Sequence, residues 1–433
     1  MAEIRKETIH RMGRRCREWD YSGRAIYLVT VCLRERGRPV LAEWPQDCAG
    51  AETTRYVCRP TALGEKVLAC WRRVPEFWPQ VELLECQLMP DHFHGLLFVR
   101  ENLPVSGQGE NPAVSGRAQD NRRVSAPAQN PERFCASPET AKRKTLGDIV
   151  RGFKTGCREA GWEEGYVDNI LFREGQLRRE VEYLRDNPRR LYEKRANPEL
   201  FKRVLDLPLD LAVSGEAQNN LAVSGEAQNK QGFCAGAETR RFQAHFQALG
   251  NTALLRRPLL VQVQCSRSDF RYRREKLPGG GWKILRDSAG APLVEYASPA
   301  FEERCADVLR CAGNGAVVVS PCLSHGEREI ARRAHEAGAS VIALRNKSFA
   351  RFEKPAGRLF DDCARGNLLL LAPAAWPWVP GEKPPTRESS LVLNRIAQLL
   401  CDEYAADIDY KGATIPDVDA KVKQALSKTG DLP

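Results

Sequence analysis

The sequence predicts two folded units, an α+β unit at the N-terminus and an α/β unit built on a parallel sheet at the C-terminus. Three observations carry that prediction. The chain has 433 residues, more than one ordinary core accommodates, since domains mostly run to roughly one or two hundred residues. Two stretches rich in Ser, Gly, Ala, Asn and Gln interrupt it, at about 102–144 and at 206–245. After the second, near-continuous apolar runs alternate with helical ones, the pattern of strands buried on both faces. The expected organisation is 1–205 with an insertion at 102–144, a linker at 206–245, and a second unit at 246–433.

In the first unit, Ile26-Tyr-Leu-Val-Thr-Val-Cys32 is β-branched and aromatic, as strands are. Residues 63–73 have helical character around Val67, Leu68 and Trp71. A strand at 81–88 meets Met89-Pro90-Asp91 and continues as His92-Phe-His-Gly-Leu-Leu-Phe-Val99. Thr145-Leu-Gly-Asp148 resembles a capping box and opens a helix through Val150, Phe153 and Lys154. A further helix starts near Gly175, with Leu177, Val181 and Leu184 as its apolar stripe. It is expected to stop at Asn187-Pro188, because proline clashes with the preceding turn.

The insertion has few large apolar residues, so it buries too little surface to offset its ordering entropy. It carries copies of a short unit, among them Ala113-Val-Ser-Gly-Arg-Ala-Gln119, and the unit returns at Leu211-Ala-Val-Ser-Gly-Glu-Ala-Gln-Asn219 and Leu221-Ala-Val-Ser-Gly-Glu-Ala-Gln-Asn229. Units this short and polar do not stack as a solenoid. They fit linkers expanded by duplication of a short DNA element.

In the second unit the apolar runs fall at 259–263, 315–320, 340–344 and 367–371, separated by helical stretches at 299–311 and 326–337. That alternation predicts a doubly wound parallel sheet. The formal net charge of +10 makes polyanions plausible partners. Fifteen cysteines with no C-x-x-C pair suggest neither a zinc knuckle nor a disulfide framework. The charged first residues and the lack of any run of about eighteen apolar residues point away from a signal peptide or membrane span, with cytoplasm the default.

Two of only six histidines are His92 and His94. At i and i+2 on a strand both leave the same face, so their imidazoles can share a divalent ion. The pair alone fits two satisfied histidines at a strand edge equally well. Tyr183 and Asn187 lie four apart on a flank beside the apolar stripe, where the phenol and the amide could reach one site. A half-buried tyrosine before a helix-ending Asn-Pro is the plainer reading of that pattern. Asp91, as the strand neighbour of His92, is expected to face the other way and is left out of the ligand set.

Residues 5–205 resemble the REP-associated tyrosine transposases of the single-tyrosine HUH superfamily. The likeness rests on Tyr21-Ser-Gly-Arg-Ala-Ile-Tyr-Leu-Val-Thr30, Leu88-Met-Pro-Asp-His-Phe-His-Gly-Leu-Leu97, Leu146-Gly-Asp-Ile-Val-Arg-Gly-Phe-Lys154 and Tyr183-Leu-Arg-Asp-Asn-Pro188, in that order. It implies a ferredoxin-like antiparallel sheet with helices on one face. It also implies Tyr183 as nucleophile, His92 and His94 as ligands of Mg²⁺ or Mn²⁺, and Asn187 as the third ligand. The sequence departs from the family at Tyr166-Val-Asp-Asn-Ile-Leu-Phe172, where relatives carry a His or Arg, and in the length of the insertion.

The chemistry suits those residue types. A phenol is a weak nucleophile at neutral pH, but its phenolate attacks a phosphodiester in line, leaving a 5′-phosphotyrosine and a 3′-hydroxyl. The expected partner is single-stranded or hairpin DNA, with Arg178, Arg179, Arg189, Arg190 and Lys154 as phosphate contacts. A homodimer that exchanges the tyrosine helix is left open. The rival readings are a non-catalytic DNA-binding regulator and a relaxase, and the latter would place its tyrosine before the histidine strand.

Residues 255–410 bear a weaker resemblance to the Rossmann-like domain of DprA/Smf DNA-processing proteins, through Val263-Gln-Cys-Ser-Arg267 and Val318-Val-Ser-Pro-Cys-Leu-Ser-His-Gly326. Pro321 and Cys322 stand where that family has phosphate-binding glycines, which weakens the expectation of a nucleotide and favours a DNA-binding accessory role.

Overall fold

The computed structural model describes residues 19–47, 56–100, 144–172, 175–214, 239–277, 281–287, 290–350, 353–379, 385–401 and 412–427. The chain divides into two units, Met1–Tyr192 and Glu193–Pro433. The insertion at 102–143 and the repeats at 215–238 lie outside the described residues. No described helix is long and apolar enough to cross a membrane.

In the first unit β1 (Ala25–Cys32), β2 (Val81–Met89), β3 (His92–Val99) and β4 (Val167–Leu171) form an antiparallel sheet in the order β2-β3-β1-β4. Side chains alternate between its faces. On one face Tyr27, Val29, Val31, Phe93 and Leu97 pack with residues of α1 (Ala62–Arg72) and α2 (Leu146–Gly156). The rings of Trp71, Phe93 and Phe153 meet there at 5.0–5.2 Å, so closely that a Cβ on Gly95 would stand 2.4 Å from Trp71. The Asp148 carboxylate closes the start of α2 by accepting from the Thr145 N–H at 2.8 Å and from its hydroxyl at 3.2 Å.

The other face carries Leu28 and Leu96, with Thr30 and His94 two residues along the same strands. It is covered by α3 (Gln176–Ala196), through Val181 and Leu184. Helices therefore flank both faces, not one as expected, because α3 has its own narrow apolar stripe to bury. Leu177 is exposed and takes no part in that stripe. Nor does α3 stop at Asn187-Pro188; it runs through the proline to Ala196. An interior proline costs about 3 kcal/mol, and packing on both sides of it, by Val181 and Leu184 before and Leu191 after, offsets that penalty.

The second unit begins with a hairpin, β5 (Arg203–Ser214) and β6 (Thr239–Gly250). Then follow β7 (Leu260–Gln262) and a small antiparallel ribbon of β8 (Phe270–Tyr272), β9 (Arg274–Lys276), β10 (Trp282–Ile284) and β11 (Val294–Ala297). The α/β part comprises α4 (Pro299–Gly313), β12 (Val317–Ser320), α5 (His325–Glu336), β13 (Val341–Leu344), α6 (Arg358–Ala364) and β14 (Leu368–Pro373), and two helices close it, α7 (Arg387–Leu400) and α8 (Ile415–Ala425). The main sheet has the order β5-β6-β14-β13-β12-β7, parallel from β14 to β7. Val318, Val341 and their neighbours pack with α4 and α5, while Val317, Val319 and Ile342 pack with α7 and α8.

Two expectations are corrected here. The parallel strands run β7, β12, β13, β14 without reversing, so the sheet is not doubly wound about a switch point. It is also mixed, because both ends of the expected linker are strands. Leu205-Asp-Leu-Pro-Leu-Asp-Leu211 alternates with period two, and Pro208 is tolerated because β5 is an edge strand whose outward N–H needs no partner.

Candidate active site

His92 and His94 stand on β3 with ring centroids 4.8 Å apart and planes at 87°. Across the ladder His94 faces Thr30 on β1 and Gln87 on β2, and its Nδ1 lies 2.8 Å from the Thr30 Oγ1. His94 is only 6% exposed. Burial, reinforced by His92 and the Arg36 guanidinium, pushes its pKa down to about 3. The ring is therefore neutral at physiological pH, the form that binds a metal.

His92 is held by Asp91, whose Oδ1 lies 2.6 Å from its Nδ1. The same carboxylate accepts the Gly37 N–H at 2.8 Å and pairs with the Arg36 Nε at 3.0 Å. Burial raises the Asp91 carboxyl, but the bonds from His92 and Gly37 and the charge of Arg36 outweigh it and hold the pKa down at about 2. The expectation that Asp91 faces away from His92 fails for a simple reason. β2 ends at Met89 and β3 begins at His92, so Asp91 belongs to the turn and escapes strand alternation. It holds the His92 ring by a hydrogen bond, an arrangement also found behind metal-binding histidines. The Nδ1 of each ring thus lies beside a protein oxygen.

On α3 the Tyr183 ring lies 6.3 Å from the His94 ring, at 71°. It is 40% exposed, and the Arg190 guanidinium stands 5.6 Å over it. Asn187, one turn along, is buried, and its Nδ2 has no hydrogen-bond partner. A buried amide edge without a partner is costly. Among the described residues no group of three or more His, Cys, Asp and Glu side chains converges as a metal site. The residues that could hold a divalent ion are His92 and His94, with the unpartnered Asn187 amide on the helix that covers their sheet face.

The remaining expected contacts are less uniform. Arg178 lies 3.8 Å from Glu182, and Arg189 donates twice to Asp186, at 2.6 and 3.0 Å. Arg179 is exposed. Lys154 donates to the carbonyls of Glu163 at 2.5 Å and Gly165 at 2.9 Å, so its ammonium pins the loop before β4. A cleft of about 630 Å³ beside α3 is lined by Tyr56, Gln87, Arg185, Pro188 and Arg189 among others, and Gln87 is the ladder partner of His94. Sequence reading missed Tyr56 and Gln87, which belong to no motif and reach the cleft only through strand pairing.

No family model matches the chain. An uncharacterised protein of Haemophilus influenzae is 25% identical to it over an alignment of 188 residues, with 41% of this chain and 88% of that protein covered. A solved REP-associated tyrosine transposase bound to a REP hairpin is similar at 14% identity over 39% of this chain and 70% of its own, with a TM-score of 0.23. A score that low does not establish a shared fold.

In the second unit the turn from β12 to α5 is braced by its own side chains. The Glu327 carboxylate accepts the N–H groups of Leu323 at 2.7 Å and Ser324 at 3.0 Å, and the Ser320 hydroxyl accepts that of Cys322 at 3.2 Å. These contacts engage the amides of the three residues that precede the helix. Cys322 holds the turn at φ 53°, and Gly326 passes so near that a Cβ would stand 2.1 Å from the Cys265 Sγ.

Proposed function

We propose that the first unit is a metal-dependent transesterase for single-stranded DNA, of the single-tyrosine HUH transposase type, which cuts and rejoins hairpin or palindromic repeat DNA through a 5′-phosphotyrosine. One observation supports this above the others. Two imidazoles and an accessible phenol share one sheet face, with neighbouring rings 4.8 and 6.3 Å apart.

In this reading the Tyr183 oxygen attacks the scissile phosphorus in line. The bond from phosphorus to the 3′ oxygen breaks, and that oxygen leaves as a 3′-hydroxyl after taking up a proton. The phenol proton passes to solvent, which reaches the half-exposed ring. Rejoining reverses the step: a 3′-hydroxyl attacks the same phosphorus and expels the phenolate. Arg190 sets positive charge over the nucleophile's ring, and Asp91 and Thr30 fix the two imidazoles. A Mg²⁺ or Mn²⁺ ion held by His92, His94 and Asn187 would supply Lewis-acid polarisation of the phosphate. The cleft beside α3 is the path along which the strand would lie.

The test is incubation of the full chain with labelled single-stranded hairpin oligonucleotides and Mn²⁺ or Mg²⁺, followed by denaturing electrophoresis. A covalent adduct that requires the ion and vanishes in Tyr183→Phe is expected. An adduct that persists in that variant removes the nucleophile, and indifference to chelator removes the metal.

A further inference from the structure

The ribbon of β8 to β11 projects aromatic rings into solvent, and its inward side explains why it is there at all. Phe270 and Tyr272 are buried against α4 and α5, and the Tyr272 hydroxyl donates to the buried Glu329 at 2.8 Å. Those two residues anchor the ribbon. Trp282 and Tyr296 do nothing of the kind, being 57% and 44% exposed. Each has a guanidinium over its ring instead, Arg274 at 4.6 Å from Trp282 and Arg271 at 5.9 Å from Tyr296.

We propose that this ribbon is a second nucleic-acid contact, on which bases of a single strand stack against Trp282 and Tyr296 while Arg271, Arg274 and Lys283 meet the phosphates. The two exposed rings, each with a guanidinium over it, offer stacking surfaces, and a base has a π-face that any aromatic ring accepts. The charge agrees. Among the described residues of the ribbon, six exposed Arg and Lys stand against three exposed Asp and Glu. No carboxylate among the described residues lies within ion-pairing distance of Arg271, Arg274 or Lys283. The arginines of α3 differ, since Arg178, Arg185 and Arg189 all have carboxylate partners. A guanidinium stacked on a ring keeps its N–H edge for phosphate, so one Arg–aromatic pair serves both parts of a nucleotide.

This inference is independent of the strand-cutting chemistry, and its test keeps the two apart. Full-length Tyr183→Phe protein, with chelator, is irradiated with a single-stranded thymidine 20-mer carrying 5-iododeoxyuridine, with a uridine 20-mer as a parallel arm, and the cross-linked peptides are sequenced. Nucleotide on the peptides of Trp282 or Tyr296 is expected with either polymer. By fluorescence anisotropy, Trp282→Ala and Tyr296→Ala should each weaken binding about tenfold, at the scale of one lost base stack. Trp282→Phe, which keeps a stacking face, should bind like the parent, and Arg274→Gln should lower the slope of affinity against salt by about one phosphate contact. Cross-links confined to residues 1–192, or Trp282→Ala and Tyr296→Ala binding with parental affinity, would overturn the proposal. So would equal affinity for the corresponding duplex.

Discussion

Thr30 and His94 face each other across the β1–β3 ladder, with the threonine Oγ1 2.8 Å from the imidazole Nδ1. The contact fixes the ring of a residue that is almost wholly buried. Replacing Thr30 by Val keeps the β-branched shape and removes the oxygen. Such supporting contacts are worth about 10- to 100-fold in metal affinity or activity. Thr30→Val should therefore need a correspondingly higher Mn²⁺ concentration for adduct formation, with thermal unfolding little changed. An unaltered Mn²⁺ titration would show that the hydroxyl does not position His94.

Asp91 yields a prediction in pH. Its carboxyl is held at about 2 in the folded chain against an ordinary 3.8, so the folded state binds the proton more weakly than the unfolded one. The stability it contributes is complete above pH 3.8 and is lost as pH falls towards 2. The size is on the order of 2 kcal/mol. Denaturant titrations of the parent should fall in that window, and Asp91→Asn should lack that part of the fall while losing adduct formation about 10- to 100-fold at neutral pH.

Glu327 caps α5 by accepting two backbone N–H groups. Glu327→Ala should lower stability by about 1 to 2 kcal/mol, the usual value of a lost cap, read as a reduced melting temperature. Isothermal titration of the parent chain with ATP or inorganic phosphate should show no binding at this turn. Binding abolished by a substitution in residues 320–327 would contradict that outcome.

His94 and Tyr183 approach within one chain. An equimolar mixture of His94→Ala and Tyr183→Phe proteins should therefore form no adduct, each lacking one half of the site. Restored adduct would mean that the tyrosine helix is supplied by a second copy.

Local signals were legible where chain neighbours alone decide. The β1 run, the capping pair of Thr145 and Asp148 and the apolar strands at 317–320, 341–344 and 368–373 stand close to where their residues place them. His92 and His94 share a face because a strand has period two, and Tyr183 and Asn187 share a flank because they lie about one helical turn apart. Asp91 was misjudged for want of one strand boundary, two residues wide.

What the sequence by itself determined is therefore the kind of element each segment forms and which side chains leave it together, since propensity and periodicity act over a few residues. The tertiary structure alone decided that α3 lies on the histidine face, that it passes through Pro188, that β5 and β6 turn a parallel sheet into a mixed one, and that Gln87 stands beside His94. Those outcomes depend on which apolar surface finds which partner, and burial between segments far apart in the chain outweighs the local cost of a proline or the local look of a linker.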